Sequence, residues 1–480
     1  MSGRLQARAI PRKVASGERT ESAVDIPASE RLATYGLCLV VALVPLMFGS
    51  VQNNVLAVWV ILLAAIASLA TWRRGSFCDG VVLAVFGLVI ICWLLVIGLQ
   101  LLPLSSSLVT LAHPIWRESS ALLGVELPPR ISAVRDLPAI AAGAQIANAL
   151  ALFCGVCLGR SRWSAGLLVE TFAWSGLLYA VYGIASFLVA PDHVLWLEKV
   201  AYRNVLTTTF INANTAAVYL GACALAWLLL CARSLRLREV TRRQVIQALL
   251  GRPSRRTLIC LVAFFLVLSA TFMTGSRLGT SVTLLALGGG VISYYRDVLG
   301  SWRGAATAAA AVVGAAILLS SVLGGSVSAR FDTGGFSDGG RIESYRSTLQ
   351  IIWDYPLLGT GLGTFRWVFP QYRSPNIAVE GVWDRTHSTP LELAAEMGLP
   401  FAGLVAVVWL VAMTRLAQGM IRRRRDRIFP VMAFWAATLG LLHSLLDFSL
   451  QIPGFAIIVM VLVGLGLAQA SSDRETWATL

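Results

Sequence analysis

The chain alternates long apolar runs with short polar connections, and the runs have the length a helix needs to cross a bilayer. They fall at 33–49, 55–71, 81–102, 140–158, 165–190, 212–232, 257–273, 278–294, 305–324, 389–414, 429–446 and 454–471. Such runs predict about twelve transmembrane helices. They are continuous rather than alternating, which excludes a membrane β-barrel, whose strands alternate apolar and polar positions. The expected fold class is all-α, a polytopic integral membrane protein.

One polar interruption is far longer than the rest, running from Arg330 to Pro400. Connections of that length are usually functional or disordered, and the Trp, Tyr and Phe content of this one argues against disorder. Within it, Ile342 to Asp354 reads as a short amphipathic helix carrying Arg346, with Arg341 at its start beside Gly339 and Gly340. Gly359-Thr-Gly361-Leu-Gly363 reads as a tight turn that needs positive φ. Thr389-Pro390-Leu391-Glu392 reads as a capping box that opens the tenth span. That leaves His387 just outside the amino end of a helix, where the dipole disfavours imidazolium and a neutral ring can accept a proton.

Composition agrees with the pattern: 57% of residues are hydrophobic, 13% are charged and mean hydropathy is +0.73. An ordinary soluble protein is excluded. The net charge of +14 comes almost entirely from Arg, since Lys13 and Lys199 are the only lysines. Most basic residues sit in the tail 1–32 and in alternate connections, at Arg73–Arg74, Arg160–Arg162, Arg233–Arg256, Arg296–Arg303 and Arg415–Arg427. That is the asymmetry that orients membrane proteins, so both termini are expected in the cytoplasm and the long loop on the periplasmic side. The charge is thereby explained without nucleic acid. The eight cysteines lie in or beside apolar runs, none in the long loop, so no disulfide framework is expected, and Cys154 and Cys157 read as small core residues. The chain divides into a basic cytoplasmic tail (1–32), nine spans (33–324), a large periplasmic loop (325–388), three spans (389–471) and a second cytoplasmic tail (472–480).

Several polar residues collect at the outer ends of the spans. Arg277 sits in Thr274-Gly-Ser-Arg277 at the tip of a hairpin, where a guanidinium could hold a diphosphate bidentately or snorkel to lipid phosphate. Arg341, Arg203, Arg346 and Arg385 are further cationic candidates in outer segments. Asn212 and Asn214 open the sixth span and could bond sugar hydroxyls, with capping the alternative for one of them. His443 and Asp447 share a helix face one turn apart, either as a functional pair at membrane depth or as a structural hydrogen-bonded pair. Glu392 and Glu396 read as helix-start acids, and spacing offers no third ligand for a metal.

Taken in order, Phe210-Ile-Asn212-Ala-Asn214-Thr-Ala-Ala, Thr274-Gly-Ser-Arg277, Gly340-Arg341, Trp353-Asp-Tyr-Pro-Leu-Leu-Gly359-Thr-Gly361-Leu-Gly363 and His387-Ser-Thr-Pro-Leu-Glu-Leu-Ala-Ala-Glu-Met-Gly398-Leu-Pro resemble the O-antigen ligase and O-antigen polymerase group of bacterial membrane glycosyltransferases. The resemblance covers roughly residues 200 to 450. It implies a fold like the lipid-donor (GT-C-like) glycosyltransferases in the bacterial inner membrane. It also implies metal-independent, cofactor-free transfer of a glycan from an undecaprenyl diphosphate carrier at the periplasmic face. The acceptor could be a glycan, a lipid A core or a protein. By motif position, Arg277 and Arg341 look like diphosphate-binding arginines and His387 like the catalytic histidine. Arg203, Asn212, Asn214, Arg346, Arg385, His443 and Asp447 are the candidate substrate contacts. Ser388 stands where that family often has Asn. A lipid-linked oligosaccharide flippase or polysaccharide exporter is the competing class, and it would call for charges within the spans and a mobile two-bundle design.

Overall fold

The computed structural model describes residues 26–72, 80–235, 254–299, 314, 339–377, 382–423 and 425–471. The expected span 305–324, apart from Gly314, and the start of the long loop, 325–338, lie outside these residues. The described chain is helical apart from one small antiparallel ribbon, β1 (His193–Val194) with β2 (Leu197–Glu198).

The helices are α1 (Ala28–Leu43), α2 (Asn53–Thr71), α3 (Gly80–Leu101), α4 (Ile115–Leu123), α5 (Leu137–Gly159), α6 (Arg162–Val189) and α7 (Ala213–Ser234). They continue with α8 (Arg255–Met273), α9 (Arg277–Leu299), α10 (Gly339–Asp354), α11 (Phe365–Tyr372), α12 (Thr389–Met397), α13 (Leu399–Arg422), α14 (Ile428–Ser444) and α15 (Pro453–Ser471). Among the described residues nine helices are long and apolar enough to cross a membrane, and α14 is apolar but shorter.

Apolar character sorts these helices by depth. The α7 helix is apolar on every face and almost wholly buried, the signature of a central helix. It packs against α6, α8, α9 and α14. By contrast α3 and α13 are equally apolar yet mostly uncovered by protein, as lipid-facing spans are. The tightest pair is α5 with α15. A Cβ added at Gly155 would strike the backbone of Val461, and one at Gly464 would strike Leu152, so the two backbones approach as closely as glycine allows. Cys154 and Cys157 are buried in α5, as small core residues should be.

The tenth span differs from its expected form. Where a single helix 389–414 is predicted, the chain makes α12, breaks at Gly398 with φ 83°, and restarts as α13. The cause is tertiary: segments 356–363 and 395–399 run back to back, with Thr360 N donating to Ala395 O (3.0 Å) and Leu399 N to Pro356 O (2.8 Å). A side chain at Gly398 would enter the Leu357 carbonyl, and one at Gly359 the Glu396 backbone.

The connections 102–136, 190–212, 274–276, 339–377, 382–398 and 445–452 meet at one end of the bundle, tied by bonds such as Leu206 N to Met273 O (3.1 Å) and Ala133 N to Thr360 O (2.8 Å). Here α10, α11 and α12 form a cap with its own apolar core of Ile351, Ile352, Phe365, Val368, Phe369, Ala394 and Ala395. The expected helix from 342 to 354 is α10, one turn longer at its start. The segment 103–136 crosses nothing, as its prolines suggest, and carries only a 3-10 turn (Ser106–Leu111) and the short α4.

Candidate active site

Asp447 sits where α14 has ended, and its carboxylate is almost completely buried. Burying an unpaired carboxylate is costly, so its partners define the local geometry. Asn214 Nδ2 donates to Oδ2 at 2.7 Å, the Phe448 N–H donates to Oδ1 at 2.7 Å, and Arg341 Nη2 stands 3.7 Å from Oδ2. The His387 Nδ1 atom lies 3.9 Å from Oδ1. Residues 214, 341 and 387, from three separate elements, thus converge on the Asp447 carboxylate.

Each partner is held by a local device. Asn212 caps α7, its Oδ1 accepting from Asn214 N (2.7 Å) and Thr215 N (3.3 Å), which leaves the Asn214 side chain for Asp447. Arg341 lies in the first turn of α10 and also donates through Nη1 to the Leu446 carbonyl at 3.2 Å. The His387 backbone adopts φ 61°, a left-handed conformation that a non-glycine residue keeps only when its surroundings enforce it. Tyr345 OH donates to the His387 carbonyl (2.9 Å), and the His387 ring is gripped edge-to-face between Trp383 and Phe448, at centroid distances of 5.6 and 5.0 Å.

Arg277 opens α9 behind a turn in which Ser276 Oγ accepts the Gly279 N–H (3.2 Å). Gly279 sits against Ala217 of α7, which brings this turn beside the helix end that carries Asn214. The Arg277 side chain is half-buried.

Two expectations, the capping box and the His443–Asp447 hydrogen-bonded pair, need correction, and the other candidate contacts have partners within the chain. The capping box at Thr389 does not form: Ser388 is the N-cap and makes no side-chain capping bond. The Glu392 carboxylate instead folds back, accepting the Thr386 N–H at Oε2 (2.8 Å) and an Arg385 N–H at Oε1 (3.1 Å). Arg385, a candidate substrate contact, is committed to this pair and to Gln451 Oε1, 3.0 Å away. His443 and Asp447 form no hydrogen-bonded pair, because the chain leaves the helix between them, and His443 Nδ1 shares its bond with Ser449 Oγ (3.0 Å). Asn214 spends its amide on Asp447. Arg346 pairs with Glu343 on the exposed side of α10, and Arg203 pairs with Glu198 and the Lys199 carbonyl, neither contact reaching Asp447.

Sequence reasoning also passed over Gln451 and Gln100. Gln100 Nε2 donates to the Leu358 and Glu396 carbonyls (2.7 and 2.8 Å) while its Oε1 accepts the Leu362 N–H (3.1 Å), locking the glycine turn to α12. A glutamine inside an otherwise apolar span end was the available signal. The Glu396 carboxylate accepts the Gly363 and Phe365 N–H groups (2.8 and 2.9 Å). Burial and the nearby Glu392 nevertheless push it up to about 8, against those two donors and Arg385. Burial lowers Arg385, but the Glu392 and Glu396 charges outweigh it and hold the guanidinium above its ordinary range.

The arrangement offers a guanidinium, an imidazole and a buried carboxylate between them at the mouth of a membrane bundle. That set can neutralise an anionic leaving group and accept a proton from a hydroxyl. Among the described residues no three His, Cys, Asp or Glu side chains gather as metal ligands would. The O-antigen ligase family model matches residues 262–408, which include Arg277, Arg341, Arg385 and His387 but neither Asn214 nor Asp447. No curated protein matches the chain.

Proposed function

From this O-antigen ligase-like region, we propose that the protein is a membrane glycosyltransferase of the ligase or polymerase type, moving a glycan from undecaprenyl diphosphate to an acceptor hydroxyl. The observation that carries the reading is the convergence of Arg341 and His387 on Asp447, the first near its Oδ2 and the second near its Oδ1. The proposed topology puts both termini in the cytoplasm, the site on the periplasmic face of the bacterial inner membrane and the 325–388 loop over the bundle in a GT-C-like arrangement. The basic tail and the arginine-rich connections support that orientation.

In the proposed reaction the acceptor oxygen attacks the anomeric carbon as the bond from that carbon to the phosphate oxygen breaks. The hydroxyl proton passes to His387, and the electron pair of the broken bond leaves with the diphosphate. Charge grows on the leaving group, which is where Arg277 and Arg341 stabilise it. Attack opposite the leaving group inverts the anomeric centre. Asp447 favours the imidazolium that forms, the role a carboxylate plays beside a catalytic histidine elsewhere. No step calls for a metal.

The test is transfer by the full-length protein in nanodiscs, supplied with a polyprenyl diphosphate glycan and either a lipid A core or a second lipid-linked glycan, with products read by mass spectrometry. A new glycosidic bond that survives a chelator and is lost in His387→Ala is expected. Movement of the intact lipid-linked glycan across liposomes, with no new bond, would make the protein a transporter instead.

A further inference from the structure

We propose that residues 102–125 form a shoulder embedded in the lipid interface beside Tyr355 at the far end of α10, its partner being the headgroup and acyl-chain boundary of the membrane. The inference rests on α3 and α5 crossing the bilayer and is independent of the transfer chemistry.

On α3, residues 88 and 95 are seven apart and so share one face, and Leu88 and Leu95 are both exposed from protein, as is Leu102 just past the helix end. That stripe is the lipid face of a span. It does not stop where the span ends: Leu108, Val109 and Leu111 on the 3-10 turn, Ile115, Leu122 and Leu123 on α4, and Val125 continue it, with Leu122 87% exposed. Neither the 3-10 turn nor α4 buries a single residue. An apolar patch of this extent is rarely left in water.

The opposite side of the same segment is hydrogen-bonded. Trp116 Nε1 donates to the Ser132 carbonyl (2.9 Å), Ser120 Oγ accepts the Leu127 N–H (3.0 Å), and the His113 N–H reaches Arg130 O (2.9 Å). The His113 ring stacks on Tyr355 of the cap at 4.9 Å, nearly parallel. The segment therefore turns its polar anchors to residues 127–132 and its His113 ring to Tyr355, and its apolar side chains outward, with Arg117 and Glu118 also exposed among the latter, as interfacial helices do. Continuity with the lipid face of α3 selects lipid over a second protein surface, since both ends of the segment are tethered where spans emerge. Docked there, the shoulder would hold the turn Tyr355–Gly363, and through it α12, at headgroup level.

The experiment places an environment-sensitive fluorophore on Leu122→Cys in full-length protein whose native cysteines are replaced, reconstituted in phosphatidylethanolamine and phosphatidylglycerol nanodiscs. Lipid bearing a nitroxide high on its acyl chain should quench the label strongly, while aqueous iodide should not. Quenching by iodide without quenching by the nitroxide lipid would overturn the proposal. So would spontaneous disulfide cross-linking between two copies of the unlabelled Leu122→Cys variant. Replacing Leu122 and Leu123 together with Ser should leave the protein folded and weaken the nitroxide effect on a label at Val125→Cys; an unchanged effect would also count against it.

Discussion

His387 Nδ1 stands 3.9 Å from Oδ1 of Asp447, too far for a hydrogen bond yet close enough for a charge on the ring to feel the carboxylate. Catalytic contacts of this kind are often long before substrate binds. Since Asp447 also accepts from Asn214 and faces Arg341, removing its charge disturbs three residues together.

Asp447→Asn keeps the shape and loses the charge. Transfer should fall by about a hundredfold, on the scale of a general-base contribution. Stability should also drop, because breaking a buried pair on one side costs about 3–5 kcal/mol. Turnover in nanodiscs and the melting temperature measure the two effects. A variant with wild-type values of both would remove Asp447 from the centre of the site.

Replacing Arg277 or Arg341 with Lys preserves charge and loses the planar fork. Losing one charge-assisted bond costs about 1.5–3 kcal/mol, or roughly ten- to a hundredfold in rate. Arg346→Lys is the control, because Arg346 is largely exposed and its pair with Glu343 is of the kind that contributes about 0–1 kcal/mol. Equal transfer by all three variants would refute the diphosphate assignment.

Arg385 bridges Glu392, which grips the arm leading to His387, and Gln451, four residues beyond Asp447. A bridge between two arms sets their register, so Arg385→Gln and Gln451→Leu should each lower kcat while leaving the donor KM unchanged. The double variant should be no worse than either single one, since both remove the same link. A raised KM with intact kcat would return Arg385 to the role of a substrate contact.

His113 carries a pH prediction. Burial against Tyr355 lowers it from 6.5 to about 4, and its Nδ1 accepts the Ile115 N–H, which a protonated ring cannot do. A depressed folded value means stability that is present above the unfolded value and is lost as pH falls towards the folded one. The melting temperature should therefore decline between about pH 6.5 and pH 4, and His113→Asn should flatten that slope. An identical slope in the variant would assign the acid sensitivity to other groups.

What the sequence determined by itself was whatever short-range physics decides. Apolar runs had to become helices because a backbone in lipid must satisfy its own hydrogen bonds. Gly359, Gly361 and Gly363 had to take positive φ, which they do at 66°, 108° and 80°, and Asn212 had to cap the helix it precedes. The tertiary structure decided the rest. Glu392 carried the pattern of a capping box, but once buried it took the donors the fold supplied, the Thr386 N–H and Arg385. Gly398 broke a span that its composition would have continued, because the Leu357 carbonyl occupies the space a side chain would need. Asp447 became the centre of the candidate site through residues 214, 341 and 387, which local spacing cannot associate with it. A buried carboxylate is satisfied by whatever donors the packed helices bring within reach, and only the packing says which those are.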